Sequence, residues 1–117
     1  MSKERGKTFE QIALSYLLKK GFTILETNWR WKYWEIDIVA QKDDWIVFVE
    51  VKGRKNADFG KPYEWIDEKK EQALLHAASA YIEQKNITSN VRFDAISIIE
   101  REVGKFEIEH FENIFLL

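Results

Sequence analysis

Two neighbouring stretches carry charged groups where a buried strand should not tolerate them. Asp37 lies in Glu35-Ile36-Asp37-Ile38-Val39-Ala40, and after a short polar break Trp45-Ile46-Val47-Phe48-Val49 leads into Glu50-Val51-Lys52. The five residues before Glu50 are apolar on both parities, the pattern of a strand covered on both faces. Leaving an acid and a base unpaired at its end would cost on the order of several kcal/mol each. Two carboxylates followed by a lysine suit a hard cation. Asp37 and Glu50 would supply oxygens and the Val51 carbonyl another, with water and a phosphate completing the shell of Mg²⁺, or of Mn²⁺ as its substitute. Such an ion polarises a phosphoryl oxygen and activates water for attack near neutral pH. Lys52 would orient or deprotonate that water or stabilise charge on phosphorus, and spacing does not choose between these roles. A Glu-x-Lys on an exposed edge strand is the ordinary alternative, an ion pair worth little. The apolar run before it argues against an edge.

The geometry depends on the hairpin that joins the two stretches. With Lys42 and Asp43 as a two-residue loop, Gln41 faces Asp44, Asp37 faces Phe48 and Glu35 faces Glu50. Asp37, Glu50 and Lys52 then share one side of the sheet, Asp37 lying diagonal to Glu50 and within reach of it. Strict alternation puts Glu35, Asp37 and Val39 on that side and Ile36, Ile38 and Ala40 on the other. A loop one residue longer would flip one strand and separate the set.

The remaining elements follow from periodicity. Residues 4–20 place Phe9, Ile12, Ala13, Tyr16 and Leu17 at helical spacing, with Gly21 at the position of a left-handed cap. Glu10 borders that stripe; spacing favours a solvated glutamate, although its carboxylate could reach inward. A strand is expected over 22–28. The segment from Asn28 to Trp34 interleaves Trp29, Trp31, Tyr33 and Trp34 with Arg30 and Lys32. It reads equally as a base-stacking, phosphate-binding surface or as one strand face covering the core. The stretch 53–62 reads as a flexible basic loop in which Arg54 and Lys55 could meet phosphates, an ordinary solvated connection being the other reading. Asp67 should cap a second helix that ends near Asn86 and buries Leu74, Ala77, Ala78 and Tyr81. Lys70 falls in its first turn, where a cation is electrostatically unfavourable, so another group is expected to hold it there. Neither His76 nor His110 has a companion at metal-site spacing. Strands are expected over 91–99 and 106–111. The order α-β-β-β-α-β-β makes an α/β fold, a central mixed sheet flanked by helices, in one domain spanning residues 1–117.

Bulk composition narrows the classes. Of 117 residues, 45% are apolar and 15% aromatic, enough for a packed core and unlike a disordered chain. Cysteine is absent, which excludes disulfides, thiolate metal sites and a cysteine nucleophile. The net charge of −2 gives no global attraction to nucleic acid, so basic residues must be grouped locally to bind it. The charged opening has no signal-peptide pattern and no run spans a bilayer, making the cytoplasm the default location and a membrane partner unexpected.

Asp37 with Glu50-Val51-Lys52 resembles the signature of the PD-(D/E)xK nucleases, which share a restriction-endonuclease-like core. The set Glu10, Asn28-Trp29-Arg30, Glu35-Ile36-Asp37, Val47 to Lys52, Lys70 and Arg92-Phe93-Asp94 is similar to the YraN-type family of small bacterial proteins read as endonucleases. The resemblance implies a Mg²⁺-dependent endonuclease acting on DNA, with Asp37 and Glu50 as metal ligands, Lys52 as the catalytic lysine and Glu10 as an accessory carboxylate. A branched or processed DNA would be the substrate. DNA is favoured over RNA without a residue that distinguishes them. Arg92 and Asp94 match the family without an assigned role, a structural ion pair being at least as good a reading as catalysis. Trp34 replaces a frequent glycine, which would narrow the approach to the site. Gly53 replaces a frequent larger residue, which would loosen the following loop. The competing expectation is a non-catalytic module that keeps the fold and binds nucleic acid or protein. A domain this small would gain grip on an extended substrate as a homodimer.

Overall fold

The computed structural model describes residues 2–56 and 60–115, with side chains from residue 8 onward. Helix α1 (Ser2–Lys19) is followed by strands β1 (Thr23–Trp31), β2 (Trp34–Lys42) and β3 (Trp45–Lys55), a 3-10 turn (Pro62–Glu64), helix α2 (Glu68–Gln84), and strands β4 (Asn90–Glu102) and β5 (Lys105–Phe111). The five strands form one sheet in the order β1-β2-β3-β4-β5. Every neighbouring pair is antiparallel except β3 and β4, which run parallel. A parallel pair cannot be joined by a tight turn, and the chain covers the distance with α2.

Both helix boundaries have local causes. Gly21 adopts φ +92° and lets Phe22 N–H reach back to the Leu17 carbonyl, closing α1. Asp67 accepts a 2.8 Å hydrogen bond from Lys70 N–H and opens α2. The helices cover opposite faces of the sheet. Phe9, Ala13 and Leu17 of α1 pack on Ile38, Ala40, Val47, Val49, Ile96 and Ile98. Leu74, Ala77, Ala78 and Tyr81 of α2 pack on Ile36, Val39, Ile46, Phe48, Phe93 and Ala95. Strand β3 is therefore buried on both sides, as its apolar run implies.

Three expectations are corrected. The β2–β3 turn consists of Asp43 and Asp44, with Lys42 paired to Trp45 and Val39 to Phe48. Asp43 takes φ +54°, a conformation that aspartate tolerates better than lysine. The loop keeps two residues but moves by one, so pairing shifts by two and side-chain parity survives. Secondly, β2 does not alternate throughout. Ile36 joins the α2 side with Val39, whereas Ile38 and Ala40 join the α1 side. The break falls at Asp37. Thirdly, Gly53, Arg54 and Lys55 are not loop but the end of β3, paired with Ile98, Ile99 and Glu100 of β4. Gly53 does not loosen the chain: a Cβ there would stand 2.2 Å from the Phe9 ring, so the missing side chain admits α1. The rest of that expected loop, Ala57 to Phe59, lies outside the described residues.

Candidate active site

The β2–β3 ladder is regular from the turn to the pair Ile38 and Val49. The paired residues end there, one step short of Asp37 and Glu50, and the Asp37 carboxylate accepts a 2.8 Å hydrogen bond from Val51 N–H. A side-chain oxygen thus serves an amide on the β2-facing edge of β3, where no paired residue of β2 does, consistent with β2 losing its alternation at this residue. Glu50 is 9% exposed. Burial, the facing Asp37 charge and a hydrogen bond between the two carboxyl groups push its pKa up to about 8, against the pull of Lys70. Lys70 Nζ lies 3.0 Å from Glu50 Oε2. Burial works against the ammonium, yet Glu50, with Asp37 and Glu35 behind it, raises its pKa. The helix-start lysine therefore has the partner that its unfavourable position called for.

Glu10 approaches from the other side. It lines a recess of about 140 Å³ together with Phe9, Asp37, Val51 and Gly53. Asn28, held at φ +51°, donates a 2.7 Å hydrogen bond to Glu10 Oε1. Burial raises the Glu10 pKa, Asn28 opposes the shift, and Asp37 and Glu35 add to it. Asp37 consequently stands between Glu10 on α1 and the Glu50–Lys70 pair towards α2. Lys52, half-buried, follows Glu50 by two residues on β3 and shares its side by alternation.

The other proposed contacts are distributed around this centre. Arg30 pairs with Glu35 at 2.6 Å across the β1–β2 hairpin. Lys32 lies over the Trp31 ring at 5.7 Å, and Tyr33 at the hairpin tip is 95% exposed. Trp29 instead packs edge-on against Tyr81, and Trp34 lies against His76. The aromatic segment therefore divides its work: Trp29 and Trp34 cover α2, while Trp31 and Tyr33 meet solvent. Arg54 and Lys55 are exposed at the end of β3.

Hard oxygen donors suit Mg²⁺ in kind: two carboxylates on neighbouring strands with the Val51 carbonyl beside them. Mutual repulsion between Asp37 and Glu50 is the condition that a divalent cation would relieve. One oxygen of each is already engaged, by Val51 N–H and by Lys70. Among the described residues no three His, Cys, Asp or Glu side chains converge as a ready-made metal cage.

Arg92 and Asp94 form the structural ion pair that was one of their two readings, within a larger polar group. Asp94 is fully buried and receives both Nε and Nη2 of Arg92, at 3.0 and 3.2 Å, and Asn113 N–H at 3.0 Å. His110 Nε2 lies 2.8 Å from the other carboxylate oxygen, and Tyr16 Oη lies 3.1 Å from His110 Nδ1. Burial alone would raise the Asp94 pKa, but these hydrogen bonds and the Arg92 charge hold it below the ordinary value. Arg92-x-Asp94 was the only local signal, because His110 and Tyr16 come from other elements. The pair is a structural anchor joining β4, β5 and α1.

The family model described as "Uncharacterised protein family UPF0102" matches residues 9–98, which include Glu10, Asp37, Glu50, Lys52 and Asp94. The chain belongs to UPF0102. A UPF0102 protein of Flavobacterium psychrophilum is 43% identical over 110 residues, covering 94% of this chain and 92% of that protein. UPF0102 relatives from Clostridioides difficile and Dictyoglomus thermophilum are 44% and 41% identical over 115 and 116 residues, each covering 97% of this chain and 98% of the relative. The YraN-type resemblance holds at this level. No helix among the described residues is long and apolar enough to cross a membrane.

Proposed function

We propose that this UPF0102 protein is a metal-dependent nuclease with a restriction-endonuclease-like core, hydrolysing phosphodiester bonds in DNA. The observation that carries the reading is the Asp37 carboxylate held on Val51 N–H at 2.8 Å and acting directly on buried Glu50, with half-buried Lys52 two residues further along β3. Asp37, Glu50 and the Val51 carbonyl would hold Mg²⁺, which supplies Lewis acidity towards a phosphoryl oxygen. Lys52 places an ammonium beside the attacked phosphate. Glu10, fixed by Asn28, positions water on the other side of Asp37. Water adds to phosphorus and gives up a proton to solvent, the bond to the 3′ oxygen breaks, and that oxygen takes a proton from a solvent water. Arg30, Lys32, Arg54, Lys55 and Lys70 supply phosphate contacts, with Trp31 and Tyr33 as stacking faces.

Single-stranded, duplex, flapped and four-way DNA incubated with Mg²⁺ or Mn²⁺ tests the proposal. Cleavage abolished by Lys52→Ala supports it, and cleavage of none of these substrates refutes it. The Glu50–Lys70 pair favours a second reading, since it gives Glu50 a cationic partner without a metal. In that case the chain is a binding module for nucleic acid or protein, and Mn²⁺ raises the melting temperature of neither the wild type nor Asp37→Asn.

A further inference from the structure

At the N-terminal end of β3, roughly 16 Å from Glu50 at 3.3 Å per residue, the β2–β3 turn borders a second cleft. Its volume is about 420 Å³, within the range of small-molecule sites, and its lining is mostly polar. Three cations reach it from three elements: Lys20 just after α1, Lys42 at the end of β2 and Arg92 on β4. The two lysines have no carboxylate within ion-pair distance among the described residues. Lys20 Nζ instead lies 5.7 Å from the centre of the Tyr16 ring, and Lys42 Nζ 5.1 Å from that of Phe22. An ammonium resting on an aromatic face keeps donors free for a ligand. Arg92 is held rigidly by its fork onto buried Asp94, and it lies over the Trp45 ring at 5.8 Å. Trp45 remains 37% exposed.

The cleft is not uniformly positive. Asp43 in the turn and Glu112 after β5 also line it, and Glu112 lies 3.4 Å from Arg92. Cations for an anionic group, carboxylates for hydroxyls and an indole face for a flat ring are complementary parts of one ligand class. We propose that this cleft binds a nucleoside phosphate, with the phosphate among Lys20, Lys42 and Arg92, a sugar hydroxyl at Asp43 or Glu112, and the base against Trp45. The Tyr16–His110–Asp94 chain forms its fixed wall, tying α1 to β4 and β5 behind the ligand. None of Asp37, Glu50 and Lys52 takes part, so the site stands independently of nuclease activity.

Titration with 5′-AMP in EDTA, followed by calorimetry and tryptophan fluorescence, tests it. Saturable binding is expected, with adenosine and inorganic phosphate each binding more weakly than AMP. Lys20→Gln and Lys42→Gln should each weaken AMP roughly tenfold, the scale of a lost charge-assisted contact, with unchanged melting temperatures showing that both variants remain folded. Trp45→Leu should remove the fluorescence change. A 5′-phosphorylated dinucleotide distinguishes the source: tighter binding than AMP marks a nucleic-acid strand, and equal or weaker binding marks a free nucleotide. No saturation by millimolar AMP, unchanged affinity in both lysine variants, or loss of binding in Asp37→Asn would each overturn the assignment. Arg92 is left intact, because removing it would strand Asp94.

Discussion

Replacing Glu50 by glutamine should make the metal-free protein more stable, and increasingly so as pH rises. Glu50 has an ordinary pKa of 4.5 and a folded value of about 8. Between those values the folded state holds a proton that the unfolded chain has released, so stability falls as pH increases. The contribution is fully present below about pH 4.5 and lost as pH passes through 8. Each pH unit in that window costs at most about 1.4 kcal/mol, which gives a ceiling of roughly 5 kcal/mol for the carboxylate. The side chain borders solvent and can relax towards it, so about 2 kcal/mol is the expected difference at pH 9. For a domain of this size that corresponds to roughly 8 °C in Tm. Glutamine has the shape of the protonated acid and does not titrate. Urea or thermal unfolding of both proteins in EDTA from pH 5 to 9 should therefore give nearly equal stabilities at pH 5 and a widening advantage for Glu50→Gln above pH 7. Subtracting the two curves removes the titration of distant groups. A pH-independent difference, or a less stable variant at pH 9, would refute the reasoning.

Asp94 has the opposite linkage. Its folded pKa lies below the ordinary 3.8, so it contributes stability above that value that disappears as pH falls through the folded pKa. Asp94→Asn leaves the half-buried Arg92 guanidinium without its carboxylate, and a loss of about 3–5 kcal/mol at pH 7, measured by urea unfolding, is expected. Gly53→Ala drives a methyl into the Phe9 ring and should cost about 1–3 kcal/mol. The same substitution in a Phe9→Ala background should cost much less, and a double-mutant cycle of unfolding free energies measures the difference.

Much of this architecture can be read along the chain. Gly21 and Asp67 end and begin helices for reasons contained within a few neighbouring residues, and the dense apolar run before Glu50 requires cover on both sides. Parity places Glu50 and Lys52 together, because two residues along a strand return a side chain to the same side. The position of the turn was not legible, since Lys42-Asp43 and Asp43-Asp44 are both polar pairs of the right length. The positive φ at Asp43 and the pairing of Lys42 with Trp45 resolve it. Gly53 looked like loop chemistry because its neighbours are basic, whereas its absent Cβ answers to Phe9, 44 positions earlier.

The sequence by itself determined that Glu50 and Lys52 share one side of a strand whose preceding residues are buried on both faces, for that follows from local periodicity and hydrophobicity, whereas Asp37 joins them only through the hairpin register. Only the tertiary structure decided how their charges are balanced. Asp37 meets Val51 N–H across 14 residues, Glu10 meets Asn28 across 18, and Tyr16 meets His110 across 94. Such partners depend on which helix covers which side and on where a ladder stops. Those are consequences of packing two layers onto one sheet, and no local pattern encodes them.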